Sequence, residues 1–251
     1  MLELDIWFFL IAGPATLFAG ISKGGFGSGA AFAGASILAL VLEPGLALGV
    51  MLPLLMLIDA ASLKPYWRKW DAEACRMLVF GALPGVALGA WIFSLMDADA
   101  IRIMIGIVSL LFVVWQYLQR ADQVPRARSD LPGWVGCTAG CAAGFSSFVS
   151  HAGGPLAAVY LLSKGLDKTT YQASTVLCFW VINIAKAVPY AFLGLFTFET
   201  LMANILLAPF ALLGTWVGVR LHYHIPETWF FALTYVLLAV TGTKLLWDGL
   251  T

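Results

Sequence analysis

The stretch GISKGGFGSGAAFAG, residues 20–34, interrupts an apolar run that extends from Ile6 to Leu42. Each glycine weakens a helix by about 1 kcal/mol relative to alanine, so a helix cannot pass through unperturbed. Lys23 sits within the interruption. A phosphate-binding loop is the first reading to test. That motif needs its lysine after the glycines, in a loop between a strand and a helix. Here the lysine precedes most of the glycines and both flanks are long and apolar, so a nucleotide site is excluded.

The flanks settle the solvent. Of 251 residues, 61% are hydrophobic and 11% charged, whereas a soluble domain carries about 25% charged residues. Such a chain cannot cover itself with polar groups and is read as an integral membrane protein. Its formal net charge is zero, which offers no basic field for nucleic acid. The amino-terminal MLELDIW lacks the basic region of a cleaved signal, so the first helix is read as retained. Cys75, Cys137, Cys141 and Cys178 lie in apolar segments without a CxxC and read as small buried hydrophobes. Cys137 and Cys141, one helical turn apart, are the candidate pair for an alternative thiol chemistry.

A spanning helix needs about 20 apolar residues. The expected segments are 5–22, 25–42, 45–63, 74–95 and 100–119, then 133–150, 154–163, 170–196, 200–219 and 228–247. Segments 25–42 and 154–163 are read as half-helices or arms of re-entrant hairpins. Between the two sets lies the polar RADQVPRARSD (120–130). The expected organisation is an amino-terminal repeat over 1–120, a cytoplasmic linker over 121–131 and a carboxyl-terminal repeat over 132–251.

Shifting the chain by 124 residues supports that division. IDAASLKPY (58–66) falls on INIAKAVPY (182–190), with Asp59 on Asn183, and Gly20 falls on Gly144. At a shift of 125, LPGVALGAW (83–91) meets APFALLGTW (208–216) with Pro, Ala, Leu, Gly and Trp in step. The loop charges reverse between the halves: KPYWRKW is basic where its counterpart is uncharged, and LMDAD is acidic where RLHYH is basic. The positive-inside rule demands such a reversal if the second half is inverted. Five segments per half then place Lys64, Arg68, Lys69, Arg76, Arg120, Arg126, Arg128, Lys164, Lys168 and Arg220 in the cytoplasm. Arg102 and Lys244 lie outside, as do both termini. The fold class is an all-α polytopic membrane protein of two inverted-topology repeats, with eight to ten transmembrane segments.

Repeat-built transporters place their sites near mid-membrane, where broken helices turn their N-termini toward an anion. The first break offers Lys23, Gly25 and Ser28. GFSSFVSHAGGPL (144–156) is its counterpart, offering Ser146, Ser147, Ser150, His151, Gly153 and Gly154, with Pro155 suited to a first helical turn. Ionisable groups inside spans point to function. Lys186 and Asn183, three residues apart, share a helix face and suit an oxyanion. Asp59, five residues from Lys64, reads as an interface pairing group or a proton carrier. The candidate substrate-binding set is Lys186, Asn183, Lys23, Ser150, His151, Gly25, Ser28, Gly153 and Gly154, with Gln172, Ser174 and Thr175 weaker. Asp59 and His151 are the proton-coupling candidates. Trp67, Trp70, Trp134, Trp229 and Trp247 near span ends form an expected aromatic belt. No metal constellation appears.

With these features the chain resembles the sulfite exporter TauE/SafE family. The glycine-rich break after the first helix carries the resemblance, together with KWDAE leading into GALPGVALGAW (81–91). So does GFSSFVSHAGGPLAAVYLLSKGLDKTTYQASTVL (144–177). The chain departs from the family pattern in KGGFGSG, which no proline follows before Pro44, and in His151 and Ala152 at positions usually glycine-like. The resemblance implies export of sulfite or an organosulfonate such as sulfoacetate, without a cofactor. Physics alone implies only an anion. The expected protein is thus a secondary transporter working by alternating access in a bacterial inner membrane. Its expected partners are a small anion, lipid and a second copy as homodimer, with no nucleic acid. A channel-like anion pathway and an intramembrane thiol oxidoreductase are the alternatives.

Overall fold

The computed structural model describes residues 6–27, 30–120, 131–222 and 227–251, with the backbone alone at 116, 119, 120 and 227–231. Ser28, Arg126, Arg128 and most of the expected linker lie outside the described residues. Every regular element among the described residues is helical. They are α1 (Ile6–Ile21), a π-helical turn (Ser22–Phe26), α2 (Phe32–Leu38), α3 (Pro44–Leu63), α4 (Ala72–Phe93) and α5 (Ala98–Arg120). Then come α6 (Gly133–Ser150), α7 (Gly154–Ser163), α8 (Lys168–Phe192), α9 (Phe198–Leu221) and α10 (Glu227–Leu250).

Local chemistry sets the ends of these helices. The Asp71 carboxylate accepts the Ala74 N–H at 2.8 Å and starts α4. Asp167 accepts from the N–H groups of Thr169 and Thr170 and starts α8. Thr197 and Thr200 form a reciprocal capping box at α9. Each satisfies donors that a helix N-terminus leaves unpaired. Pro44 and Pro155 occupy the first turns of α3 and α7, where no N–H is needed.

Among the described residues, six segments are long and apolar enough to cross a membrane, Ile6–Phe26, Pro44–Leu63, Ala72–Phe93, Ala98–Trp115, Lys168–Phe192 and Phe198–Leu221. The expected segment 25–42 contracts to the 7 residues of α2, because glycine-rich backbone precedes it. With 10 residues α7 is about 15 Å long, half the hydrocarbon thickness. Phe80, Trp91, Phe192, Phe198 and Trp216 are exposed on the outer surface, an arrangement suited to lipid and unsuited to water. Trp67, Trp134 and Trp247 are exposed as the belt requires, and Trp67 packs edge-on against Trp70. The side chain of Trp229 lies outside the described residues.

The halves exchange partners. α1 packs on α9, α6 on α4, α5 on α10, and α3 on α8. Small residues permit the closest of these seams. A Cβ on Gly20 would lie 2.7 Å from the Ala211 carbonyl oxygen, and one on Gly144 would lie 2.3 Å from that of Ala82. α3 and α8 run antiparallel. Gly49, early in α3, lies against the Leu195 carbonyl just past α8, and Tyr66, just past α3, clusters with Ala173 and Val176 early in α8.

Contacts between the loops sort the charges. The Asp71 N–H donates to Ser174 Oγ, Lys168 Nζ to the His222 carbonyl, and Tyr66 stacks edge-on against His222. One end of the bundle thereby gathers Lys64, Arg68, Lys69, Arg76, Lys164, Lys168 and Arg220. The opposite end carries Glu43, Asp97, Asp99, Arg102 and Glu199, with Ile6 and Leu250.

Candidate functional site

Two interruptions of the backbone face each other across α3 and α8. The first is the π-helical turn, closed by Gly27 at φ 86°, a left-handed value that glycine adopts without strain. Widening the turn frees three consecutive carbonyls. Gln172 Nε2 donates to that of Lys23 at 2.6 Å, the Tyr66 hydroxyl to that of Gly24 at 2.8 Å, and His222 Nδ1 bonds that of Gly25 at 2.7 Å. Buried carbonyls left without donors cost about 1–3 kcal/mol each, so three donors hold the turn open. The second interruption follows α6. His151 adopts the left-handed conformation at φ 58°, and α7 starts after it. The Tyr190 hydroxyl donates to the Phe148 carbonyl at 2.6 Å, and Ser146 Oγ to that of Ala152 at 3.2 Å.

These bonds repeat in register. Tyr66 to Gly24 and Tyr190 to Phe148 each span 42 residues, and the two pairs are offset by the same 124 residues that align the halves. Ser22 and Ser146 obey the same offset, each donating to a carbonyl beyond its own break, Ser22 to that of Gly27.

Between the breaks lies a connected polar cluster. Lys23 Nζ sits 2.6 Å from Asp59 Oδ2, which also accepts from Asn183 Nδ2 at 2.8 Å. Lys186 Nζ donates to Ser147 Oγ at 3.1 Å and Asn183 Oδ1 at 3.4 Å, and lies 2.7 Å from His151 Nδ1. His151 Nε2 lies 3.3 Å from the Leu48 carbonyl. All six side chains are buried. Asp59 and Asn183 each stand fifteen residues past the first residue of their helices, about 22 Å along at 1.5 Å per residue. Asp59 stands four residues before the end of α3 and Asn183 nine before the end of α8.

The two lysines differ electrically. Lys23 has a carboxylate. The three donors of Lys186 meet a hydroxyl, an imidazole nitrogen and an amide oxygen, all neutral. Two ammonium groups against one carboxylate would leave a single positive charge in excess, and Lys186 is the lysine without a carboxylate partner.

Of the residues expected at a site, Lys23, Asp59, His151, Asn183 and Lys186 converge here. Asp59 is buried and pairs with Lys23. Ser150 does not join, because its hydroxyl bonds back to the Ser146 carbonyl at 3.0 Å; Ser147, three residues earlier, accepts from Lys186 instead. Gly25 faces α9, where a Cβ would lie 2.2 Å from the Gly218 carbonyl oxygen. Gly153 packs on Ala143 and Ser147, and Gly154 begins α7. Ser28 lies outside the described residues. Gln172 serves the first break, Ser174 the start of α4, and Thr175 bonds back to the Gln172 carbonyl. Tyr66, Tyr190 and His222 were not anticipated as parts of the breaks, although Tyr66 and Tyr190 already coincide at the 124-residue shift. Cys137 and Cys141 are free and half-buried in the α4–α6 seam. No cluster of three or more metal-ligating side chains occurs among the described residues.

The profile of the sulfite exporter TauE/SafE family matches residues 12–245, nearly the whole chain. The chain belongs to that family. This TauE/SafE member is also 28% identical over 169 residues to the probable inner membrane transporter protein TsaS of Comamonas testosteroni. The aligned region covers 65% of this chain and 69% of that protein. No solved structure matches it.

Proposed function

We propose that this TauE/SafE member is a secondary transporter that exports a small sulfur-containing anion, sulfite or an organosulfonate such as sulfoacetate. The observation that carries the reading is the position of Lys186. A buried ammonium surrounded by neutral acceptors needs a counter-charge, and a transported anion supplies one. Tetrahedral sulfur oxyanions also suit the donors beside it, since Ser147, Asn183 and Lys186 can turn toward an oxygen.

Alternating access is carried by the two halves, 1–120 and 132–251, as inverted repeats about the α3–α8 crossing. The recurrence of the tyrosine-to-carbonyl bonds at 124 residues supports this, as does the location of the cluster where equivalent positions meet. The end bearing Lys64, Arg68, Lys69, Lys164, Lys168 and Arg220 faces the cytoplasm, in keeping with the positive-inside rule. Both termini then face outward from a bacterial inner membrane. Asp59 and His151 are the groups in the site able to exchange a proton during turnover.

Uptake of labelled sulfite, sulfoacetate and taurine into inside-out vesicles tests the reading. Wild type is expected to accumulate at least one of them, and Lys186→Ala to lose that transport more than tenfold. Equal transport by the variant removes Lys186 from the mechanism. Vesicles that carry none of the anions remove the sulfur-anion reading.

A further inference from the structure

We propose that Asp59 carries the proton that lets this site accept a doubly charged anion, so that a dianion moves with one proton and a monoanion moves alone. The inference rests on the anion-transport reading and adds the charge class of the substrate and the coupled ion.

Counting charge within the cluster leads there. Lys23, Lys186 and Asp59 sum to one positive charge. A monoanion beside Lys186 cancels it, and the Lys23–Asp59 pair stays intact. A dianion leaves one negative charge in excess inside a buried site, where uncompensated charge is strongly disfavoured. The cluster can correct this by neutralising Asp59. Lys23 then turns from its former partner to the anion, and two ammonium groups face two negative charges.

The geometry singles out Asp59 as the acceptor of that proton. Its Oδ2 takes both Lys23 and Asn183. Its Oδ1 is buried and has no hydrogen-bond partner among the described residues. A carboxylate oxygen so placed has lone pairs open to a proton, and a protonated Oδ1 becomes a donor toward an anion oxygen. His151 is not equivalent. The Leu48 carbonyl can only accept, so Nε2 bears the hydrogen and Nδ1 accepts from Lys186. A second proton on the ring would face an ammonium.

The groups around Asp59 are few. The π-turn contributes Lys23; α8 contributes Asn183, Lys186 and, farther on, Tyr190; and the end of α6 brings His151 behind Lys186. α9 carries Glu199 and Arg220 only near its two ends, and α5 carries Asp99 and Arg102 in its first turns. α1 and α2 carry no ionisable side chain, and α3 no other. The proton comes from the solution that the open site faces and leaves with the anion. A dianion with one proton retains one net negative charge, so an inside-negative potential drives it outward.

Calorimetric titration of the purified full chain tests this with two anions whose charge is constant from mildly acidic to mildly alkaline pH. Sulfoacetate is a dianion there and methanesulfonate a monoanion; sulfite is unsuitable because it titrates itself. Sulfoacetate affinity is expected to fall about tenfold per pH unit on the alkaline side, the slope for one linked proton. Heats measured in buffers of different ionisation enthalpy should show one proton taken up. Methanesulfonate binding should show neither effect. In Asp59→Asn the pH slope and the proton uptake for sulfoacetate should both vanish. Equal pH slopes for the two anions, or proton uptake that survives in Asp59→Asn, overturns the proposal and leaves anion binding standing. If neither anion binds wild type, the anion reading itself falls and the proposal with it. Should Asp59→Asn fail to fold, the two anions on wild type still decide.

Discussion

The two breaks are the same backbone device with opposite electrical content. Both interrupt helical backbone, and both have a freed carbonyl satisfied by a tyrosine at the same offset. At the first, three carbonyls are held and Lys23 is paired with Asp59. At the second, one tyrosine and one serine hold the backbone and Lys186 meets only neutral acceptors. The 124-residue register sets Lys23 opposite Ser147 and Ser62 opposite Lys186. The cations thus occupy inequivalent positions, one on a break and one on α8. The tyrosine-to-carbonyl bonds recur in this register, and the charged residues do not.

The sharpest way to break this comparison is to delete each cation in turn. Lys23→Met strands the buried Asp59 carboxylate and is expected to cost about 3–5 kcal/mol. Adding Asp59→Leu should recover much of it. Lys186→Met strands no carboxylate and should melt at or above the wild-type temperature while losing anion binding. If both single variants melt equally early in a thermal denaturation assay, the electrical asymmetry is wrong.

Next come the seams. Gly20→Ala and Gly144→Ala each push a methyl group into the partner helix's backbone, at 2.7 and 2.3 Å. Each should cost about 1–3 kcal/mol, as overpacking does. Both are expected to lower the melting temperature. A neutral result at one site alone would separate the seams that the repeat makes equivalent.

Smaller still are the tyrosines. Tyr66→Phe and Tyr190→Phe each orphan one buried carbonyl, worth about 1–3 kcal/mol. Similar losses support the shared register. A much milder effect at Tyr66 would indicate that Gln172 and His222 suffice to hold the first break.

The smallest effect lies outside the membrane. Bonds from the Thr170 hydroxyl, then from the N–H groups of Thr170 and Thr169, hold the exposed Asp167 carboxyl below its usual value. A lowered carboxylate pKa adds stability above the unfolded-state value and loses it as pH falls through the folded one. Asp167→Asn should therefore melt slightly below wild type near neutrality, and the gap should close in acid. A gap that persists in acid assigns the effect to hydrogen bonding alone.

Most of the architecture was legible in the chain because lipid makes it so. A bilayer forces apolar runs of fixed length into helices, and Gly, Pro and Trp recur at matched spacing in the two parts of the chain. Lys186 and Asn183 were visible as polar groups three residues apart in an apolar span. Asp59 was legible as a pairing group or a proton carrier, but its partner was not, because Lys64 is the cation nearest along the chain. In space it meets Lys23, thirty-six residues earlier. Ser150 and Ser147 cannot be told apart in sequence, since which hydroxyl bonds back into its own helix depends on the rotation of α6.

From the residues alone followed the lipid solvent, the all-helical class, the two glycine breaks and two lysines as candidate anion ligands. Those conclusions depend on composition and on local spacing, which each segment carries within itself. Which cation has a carboxylate is of another kind. That question joins residues from the π-turn, α3, α6 and α8, four segments whose meeting depends on how the antiparallel helices cross. Only the packed bundle brings them within hydrogen-bond distance, pairs Asp59 with Lys23 and leaves Lys186 without a carboxylate.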